Sequence, residues 1–232
     1  MHIPPYDNHN NPVIDVDDAH VPLNYFNIVK LKRGEHFSYS VPRYETAIVP
    51  ATGTVDVDIE GVSFKTLGNR VGDVWGGEPE GVYVPSGAKA GMTCISETAE
   101  IFIAGARFDQ VLEPFDVRVA DLDHVQYGSD DTKTHRKIKH ILGTKYRDRV
   151  GRLLVSELFT VGQGGWSGFP PHKHDTDRLP EETRHDETYN FRFKPDHGFG
   201  MQLVQREDGK VGDAYHIVNR SEEHTSELQS RQ

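Results

Sequence analysis

TVDVDIEG, residues Thr54 to Gly61, alternates apolar and polar side chains, so Val55, Val57 and Ile59 share one face of an extended chain and Asp56, Asp58 and Glu60 the other. That is the period of a half-buried antiparallel strand, and the glycine closes it with a turn. The texture spreads in both directions. Upstream lie Phe26, Ile28 and Val29 near Leu31, then Ala47 to Val49, and downstream an apolar run from Glu100 to Ala104. Turn signals fall at Gly34, Gly53, Gly61, Gly72 with Asp73, and Pro85 to Gly87, a spacing that predicts a sandwich or jelly roll. Further on, Ile138 to Leu142, Leu153 to Thr160, Thr188 to Phe193, Met201 to Val204 and Ala214 to Val218 predict a second set of short strands between Gly or Pro clusters.

The expected fold class is therefore all-β, with two antiparallel β-sandwich or barrel domains in tandem. Residues 1–23, rich in Asp, Asn, Pro and His, read as an irregular arm, and 24–112 as the first domain. The acidic, turn-rich stretch 113–133 reads as a linker and 134–219 as the second domain. After Val218 the sequence NRSEEHTSELQSRQ keeps only Leu228 as a large apolar residue, and SEEHTSELQS resembles a translated sequencing adapter. Residues 220–232 are therefore expected to be foreign to the fold, and the second domain to be incomplete.

Composition narrows the function classes. With 35% hydrophobic and 27% charged residues, a largely disordered chain is excluded. No run approaches the apolar length that spans a bilayer, and the start MHIPPYDNHN has neither the basic nor the apolar region of a secretory signal. A single cysteine, Cys94, allows no intramolecular disulfide and suits a reducing cytoplasm. The net charge of -10 opposes nucleic-acid binding, and neither a nucleic-acid nor a membrane partner is expected. The one basic stretch, Lys133 to Arg149, nearly lacks stacking aromatics and reads as a solvated strand and loop.

Chemistry concentrates in GGWSGFPPHKHDTDRLPEETRHDETYNFRF, Gly164 to Phe193. His172 and His174 sit two apart, so on an extended strand both imidazoles reach one face and can grip one metal ion. Glu187, opening ETYNFRF, can add a carboxylate from a neighbouring strand. This ligand type suits zinc, manganese, iron or nickel without choosing among them. A lone His-x-His among 13 histidines is often surface decoration, but the stiff Pro170-Pro171 approach and the acid-rich strand that follows favour ligation.

The order of these residues resembles the cupins, whose first motif carries His-x-His and then Glu, although the gap from His174 to Glu187 exceeds the usual one. The long acidic insertion, the GGWSGFPPHKHD signature and the later HGFGMQLV resemble the double-cupin 5-deoxyglucuronate isomerases of inositol breakdown, strongly from Leu153 on and faintly before it. The resemblance implies two cupin domains and makes His172, His174 and Glu187 metal ligands, with zinc or manganese as the expected cofactor. It places a fourth histidine in a Gly-Tyr-His-Pro turn that the sequence does not contain, so weak metal retention and impaired isomerase activity are expected; His216 reads as a surface or packed residue. In the first half, VYVPSGAKA has Ala90 where the second cupin motif has histidine, so that domain is expected to be metal-free.

The implied activity is an aldose-ketose isomerisation of a small uronate, with a homo-oligomer left open. Such an enzyme moves a proton between adjacent carbons and stabilises an enediolate. Glu182, His185 and Tyr189 are the candidates for proton transfer. Arg192 is a candidate for the substrate carboxylate, which a guanidinium grips through two parallel hydrogen bonds, and Gln202 for a sugar hydroxyl. The rival readings are a cupin oxygenase, against which the PPHKHD match weighs, and a non-catalytic sugar-binding cupin.

Overall fold

A computed structural model describes residues 1–162, 173–205 and 211–218 of the chain. The segment 220–232 lies outside the described residues. The chain is all-β, and among the described residues every strand pair is antiparallel, as the alternation predicted. Among the described residues the only helical pieces are two 3-10 turns, Val119–Asp121 and Thr144–Tyr146. The described residues divide into two compact units, one from 8–162 and the other from 1–7, 173–205 and 211–218.

The larger unit is organised around one long strand. In chain order its strands are β1 (Pro12–Ile14), β2 (Asn24–Lys32), β3 (His36–Tyr39), β4 (Tyr44–Ile59), β5 (Val62–Arg70), β6 (Gly81–Val84), β7 (Ala90–Cys94), β8 (Thr98–Arg107) and β9 (Phe115–Val117). The first half of β4 lies between β8 and β6 in a sheet ordered β1-β2-β8-β4-β6-β9, and its second half pairs with β5 and β7, with β3 beyond β7. A register shift between Pro50 and Thr52 marks the corner where β4 passes from one set of partners to the other. Val55, Val57 and Ile59 are almost completely buried with Leu67, Met92, Ile101 and Ile103. The face read from TVDVDIEG is thus the core face.

Gly53 makes the corner possible. Its φ is +75°, and a Cβ there would lie 2.2 Å from the Thr98 carbonyl oxygen and 2.8 Å from the Ala99 Cα. Both the left-handed backbone and the overlap disfavour any side chain. Gly53→Ala is expected to destabilise the protein by about 2–4 kcal/mol, read as a lowered urea midpoint at unchanged slope. A shift within the scatter of surface substitutions would show that the corner relaxes freely.

Two segments are more ordered than the sequence suggested. The arm 1–23, expected to be irregular, contains β1, which pairs with β2. Asn8, buried, donates to Ile28 O at 2.8 Å and to Asn27 Oδ1 at 3.0 Å, and Asn27 returns a bond to Asn10 O at 3.0 Å. Side-chain amides here substitute for ladder bonds, which leaves no apolar period to read. Residues 113–133, expected as a linker, contain β9, which pairs with β6, and β10 (Asp123–Tyr127). β10 joins β11 (Arg136–Leu142) and β12 (Val155–Thr160) in a three-stranded sheet. Phe115, Val117, Leu122, Ile141, Leu142, Tyr146 and Leu153 form a second core with Ala47, Val49 and Tyr83. The stretch 113–133 is therefore built into the same unit as residues 24–112. Its buried residues are too few and too scattered among acids to show a period.

Buried polar contacts tie the later strands to the earlier ones. The Glu45 side chain of β4 is fully buried and accepts hydrogen bonds from the Tyr83 hydroxyl at 2.7 Å, from Gly151 and Leu153 N–H at 2.8 Å each, and from Arg152 N–H. Burial, reinforced by the Glu45 carboxylate, pushes the Tyr83 phenol well above its ordinary range, so it stays a donor. Arg70, with its side chain buried, grips Glu157 of β12 through its two terminal guanidinium nitrogens, and its Nε donates to Gly77 O at 3.1 Å. In the basic stretch, Lys139 pairs with Glu78 at 2.7 Å over the Phe159 ring, and the Arg149 guanidinium lies 3.8 Å from the Phe115 ring centroid. These cations are engaged within the chain.

The second unit holds the hairpin of β13 (Phe199–Gln205) and β14 (Val211–Val218). Met201–Val204 and Ala214–Val218 are strands as predicted, whereas Thr188 to Phe193, expected as a strand, lies outside the strands of the described residues. Its rings keep the extended spacing: Tyr189 stacks on Phe191 at 5.8 Å between centroids and Phe191 on Phe193 at 6.4 Å. His216, on β14, is exposed and meets the Phe199 ring edge-on at 5.5 Å.

Candidate functional site

The site lies in the second unit, on either side of a tight reversal. Arg178 and Glu182 form an antiparallel bridge: Arg178 N–H donates to Glu182 O at 2.9 Å, and Glu182 N–H donates back at 3.1 Å. Asp177 Oδ1 accepts from Arg184 N–H at 2.8 Å, and His185 N–H donates to His174 O at 3.1 Å. Residues 175–184 therefore fold back on themselves and set His185 opposite His174. Their rings face each other at 3.8 Å between centroids.

Glu187 completes the group. Its Oε1 lies 3.5 Å from His174 Nε2 and 3.5 Å from His185 Nε2. Its Oε2 accepts the Tyr189 hydroxyl at 2.7 Å. The three donor atoms of His174, His185 and Glu187 all lie within 4.8 Å of one another, the one such His/Cys/Asp/Glu group found among the described residues. Burial and then the Glu187 carboxylate push the Tyr189 phenol well above its ordinary range, so the hydroxyl keeps its proton and holds the carboxylate in place. The His185 Nδ1 faces the Thr183 carbonyl at 3.0 Å. A carbonyl only accepts, so Nδ1 carries a hydrogen, and Nε2 is the ring nitrogen turned to the cluster.

These donors fit a first-row divalent ion. Ligand atoms about 2.0–2.2 Å from one tetrahedral zinc are spaced about 3.3–3.6 Å apart. The two 3.5 Å separations match that spacing and exceed an ordinary N–H···O hydrogen bond. The Tyr189 and Thr183 contacts are the kind that orient metal-ligating groups from behind.

The sequence candidates are distributed as follows. His174 and Glu187 are brought together, while His172 lies outside the described residues. His185 and Tyr189, considered for proton transfer, are placed respectively in the donor group and behind it. Glu182 is engaged by Arg178 at 3.4 Å, with Lys173 at 3.9 Å. Hydrogen bonds from Lys173 and then Thr176 lower the Asp175 carboxyl below its usual range. Arg192 is half-buried, and Gln202 is exposed on β13 in register with Tyr215. The place of His185 has a signal in the sequence: His185, Glu187 and Tyr189 alternate, so an extended chain turns all three to one side.

An antiparallel all-β scaffold carrying a convergent imidazole and carboxylate cluster defines the class of protein. The particular lineage follows from comparison with known proteins. The sequence profile described as the KduI/IolB family matches residues 2–222, and the chain belongs to that family. It is 30% identical over 210 residues to a 5-deoxy-glucuronate isomerase of Shouchella clausii and 29% over 209 residues to one of Bacillus licheniformis, in each case covering 89% of this chain and 75% of the relative. Its fold matches an IolB-like protein from Salmonella typhimurium LT2 with a TM-score of 0.75 at 26% identity, over 85% of this chain and 73% of that one. By this kinship the chain is an enzyme of the isomerase class. Among the described residues no helix is long and apolar enough to cross a membrane.

Proposed function

We propose that this chain is a metal-dependent aldose-ketose isomerase acting on 5-deoxy-D-glucuronate to give 5-dehydro-2-deoxy-D-gluconate. The observation that carries the reading is the convergence of His174 and Glu187, two of the ligands the family resemblance implies, within 3.5 Å in a chain whose relatives bear the isomerase name. His172, two residues before His174, is the other ligand that the resemblance implies. A bound zinc or manganese ion would supply Lewis-acid stabilisation of the negative charge that develops on the substrate's carbonyl and hydroxyl oxygens. The chain's own residues do the rest. Tyr189 donates to Glu187 Oε2, which leaves Oε1 turned to the imidazoles and makes Tyr189 a positioning donor for the carboxylate. Arg192 offers a forked donor for the substrate's carboxylate, and Gln202 an amide for a hydroxyl. The small-molecule uronate is the partner, and the cytoplasm the working compartment.

Incubating the purified chain with 5-deoxyglucuronate should produce the ketone, with activity lost on chelation and restored by zinc or manganese. Absence of turnover with either metal would overturn the substrate assignment, and turnover insensitive to chelation the metal dependence.

A further inference from the structure

Within the same unit, His185 is exposed, yet its backbone and both ring nitrogens have specific neighbours. Its backbone N–H is bonded to the His174 carbonyl, its Nδ1 to the Thr183 carbonyl, and its Nε2 lies as far from Glu187 Oε1 as His174 Nε2 does. We infer that His185 is a further nitrogen ligand of the centre, delivered by the 175–184 reversal and not by the His-x-His pair.

The inference rests on the proposed metal dependence and adds a ligand to it. Three observations separate a ligand from a proton-transfer residue. The Thr183 carbonyl takes the hydrogen of Nδ1 and leaves Nε2, 3.5 Å from Glu187 Oε1, as the nitrogen that can ligate. The 3.5 Å separation is that of two donors sharing one ion and is too long for an imidazole hydrogen-bonded to its carboxylate. The ring also lies against the His174 ring at 3.8 Å between centroids, so the two imidazoles approach the same carboxylate oxygen from neighbouring positions. The residue spacing carries the same message. Eleven positions separate His174 from His185, and the Arg178–Glu182 bridge folds this insertion so that its far end returns to its start. On this reading the insertion is a ligand-bearing loop.

The test measures metal binding directly. Zn²⁺ affinity is determined by competition with a chromogenic chelator, and Co²⁺ binding by its visible ligand-field absorption, for the full chain and for His185→Ala, His185→Asp and Glu187→Ala. Near-ultraviolet circular dichroism confirms that each variant keeps its fold. His185→Ala should weaken Zn²⁺ binding at least about tenfold and alter the Co²⁺ bands, while His185→Asp, which keeps a donor atom, should recover part of the loss. Wild-type affinity and bands in His185→Ala would overturn the inference, and a fall in turnover alone would then make His185 the proton-transfer residue. Failure of the underlying reading looks different: Glu187→Ala would also bind both metals as the wild type does.

Discussion

Glu187→Ala is expected to lower isomerase turnover by at least about a hundredfold and to reduce bound metal in parallel, since loss even of groups behind a ligand typically costs ten- to a hundredfold. The reason is geometric. Glu187 is the one residue whose carboxylate touches every other part of the cluster: Oε1 lies 3.5 Å from both imidazoles and Oε2 holds the Tyr189 hydroxyl. Removing it leaves two imidazoles without their anionic partner and frees the Tyr189 phenol from its acceptor. Glu187→Gln keeps the size and an oxygen for Tyr189 but loses the charge that favours a cation, so it should bind metal better than alanine and still turn over slowly. Metal content by mass spectrometry and turnover at saturating Zn²⁺ or Mn²⁺ check both statements. A Glu187→Ala protein with wild-type turnover would remove Glu187 from the centre altogether.

The second large effect concerns stability. Glu45→Ala should destabilise the larger unit by at least about 4 kcal/mol, because it strips the acceptor from one hydroxyl and three backbone N–H groups, each costing about 1–3 kcal/mol when buried without a partner. A loss of that size is a large share of a typical total of about 5–15 kcal/mol. It should also be local in the first instance. The amides of Gly151, Arg152 and Leu153 reach Glu45 across more than a hundred residues of sequence, so their hydrogen exchange should quicken before that of Val55 or Ile101. Glu45→Gln, which keeps one acceptor oxygen, should lose less. Urea unfolding and hydrogen exchange of the three amides measure these effects, and an alanine variant within about 1 kcal/mol of wild type would show that the loop 151–153 finds other partners.

The strands were legible where a strand has one wet face and one dry face. Val55, Val57 and Ile59 announced themselves because water on the Asp56 and Asp58 side forces alternation, and all three are buried. β9 was not legible: three residues with two buried positions, inside an acidic stretch, carry too little pattern to separate a strand from a loop. The Asn8 and Asn27 contacts were equally hidden, because an amide that replaces a ladder bond looks in sequence like any polar loop residue.

The candidate site divides along the same physical line. Residue type and short spacing determined the chemistry: an imidazole at His174 and a carboxylate at Glu187, with tyrosine two residues on, specify donors whatever the fold does with them. Which donors meet depended on the reversal at 175–184, whose backbone bonds bring His185 back to His174 and so change a candidate base into a neighbour of the carboxylate. Glu45 and Arg70 belong wholly to tertiary structure. Their partners lie 106 and 87 residues away, and a charged residue reads as a surface residue until the strands that bury it are in place. Local spacing fixes what a chain can bind, because neighbouring residues cannot escape one another; long-range closure decides which of those groups act together, because only the packed sheets determine their distances.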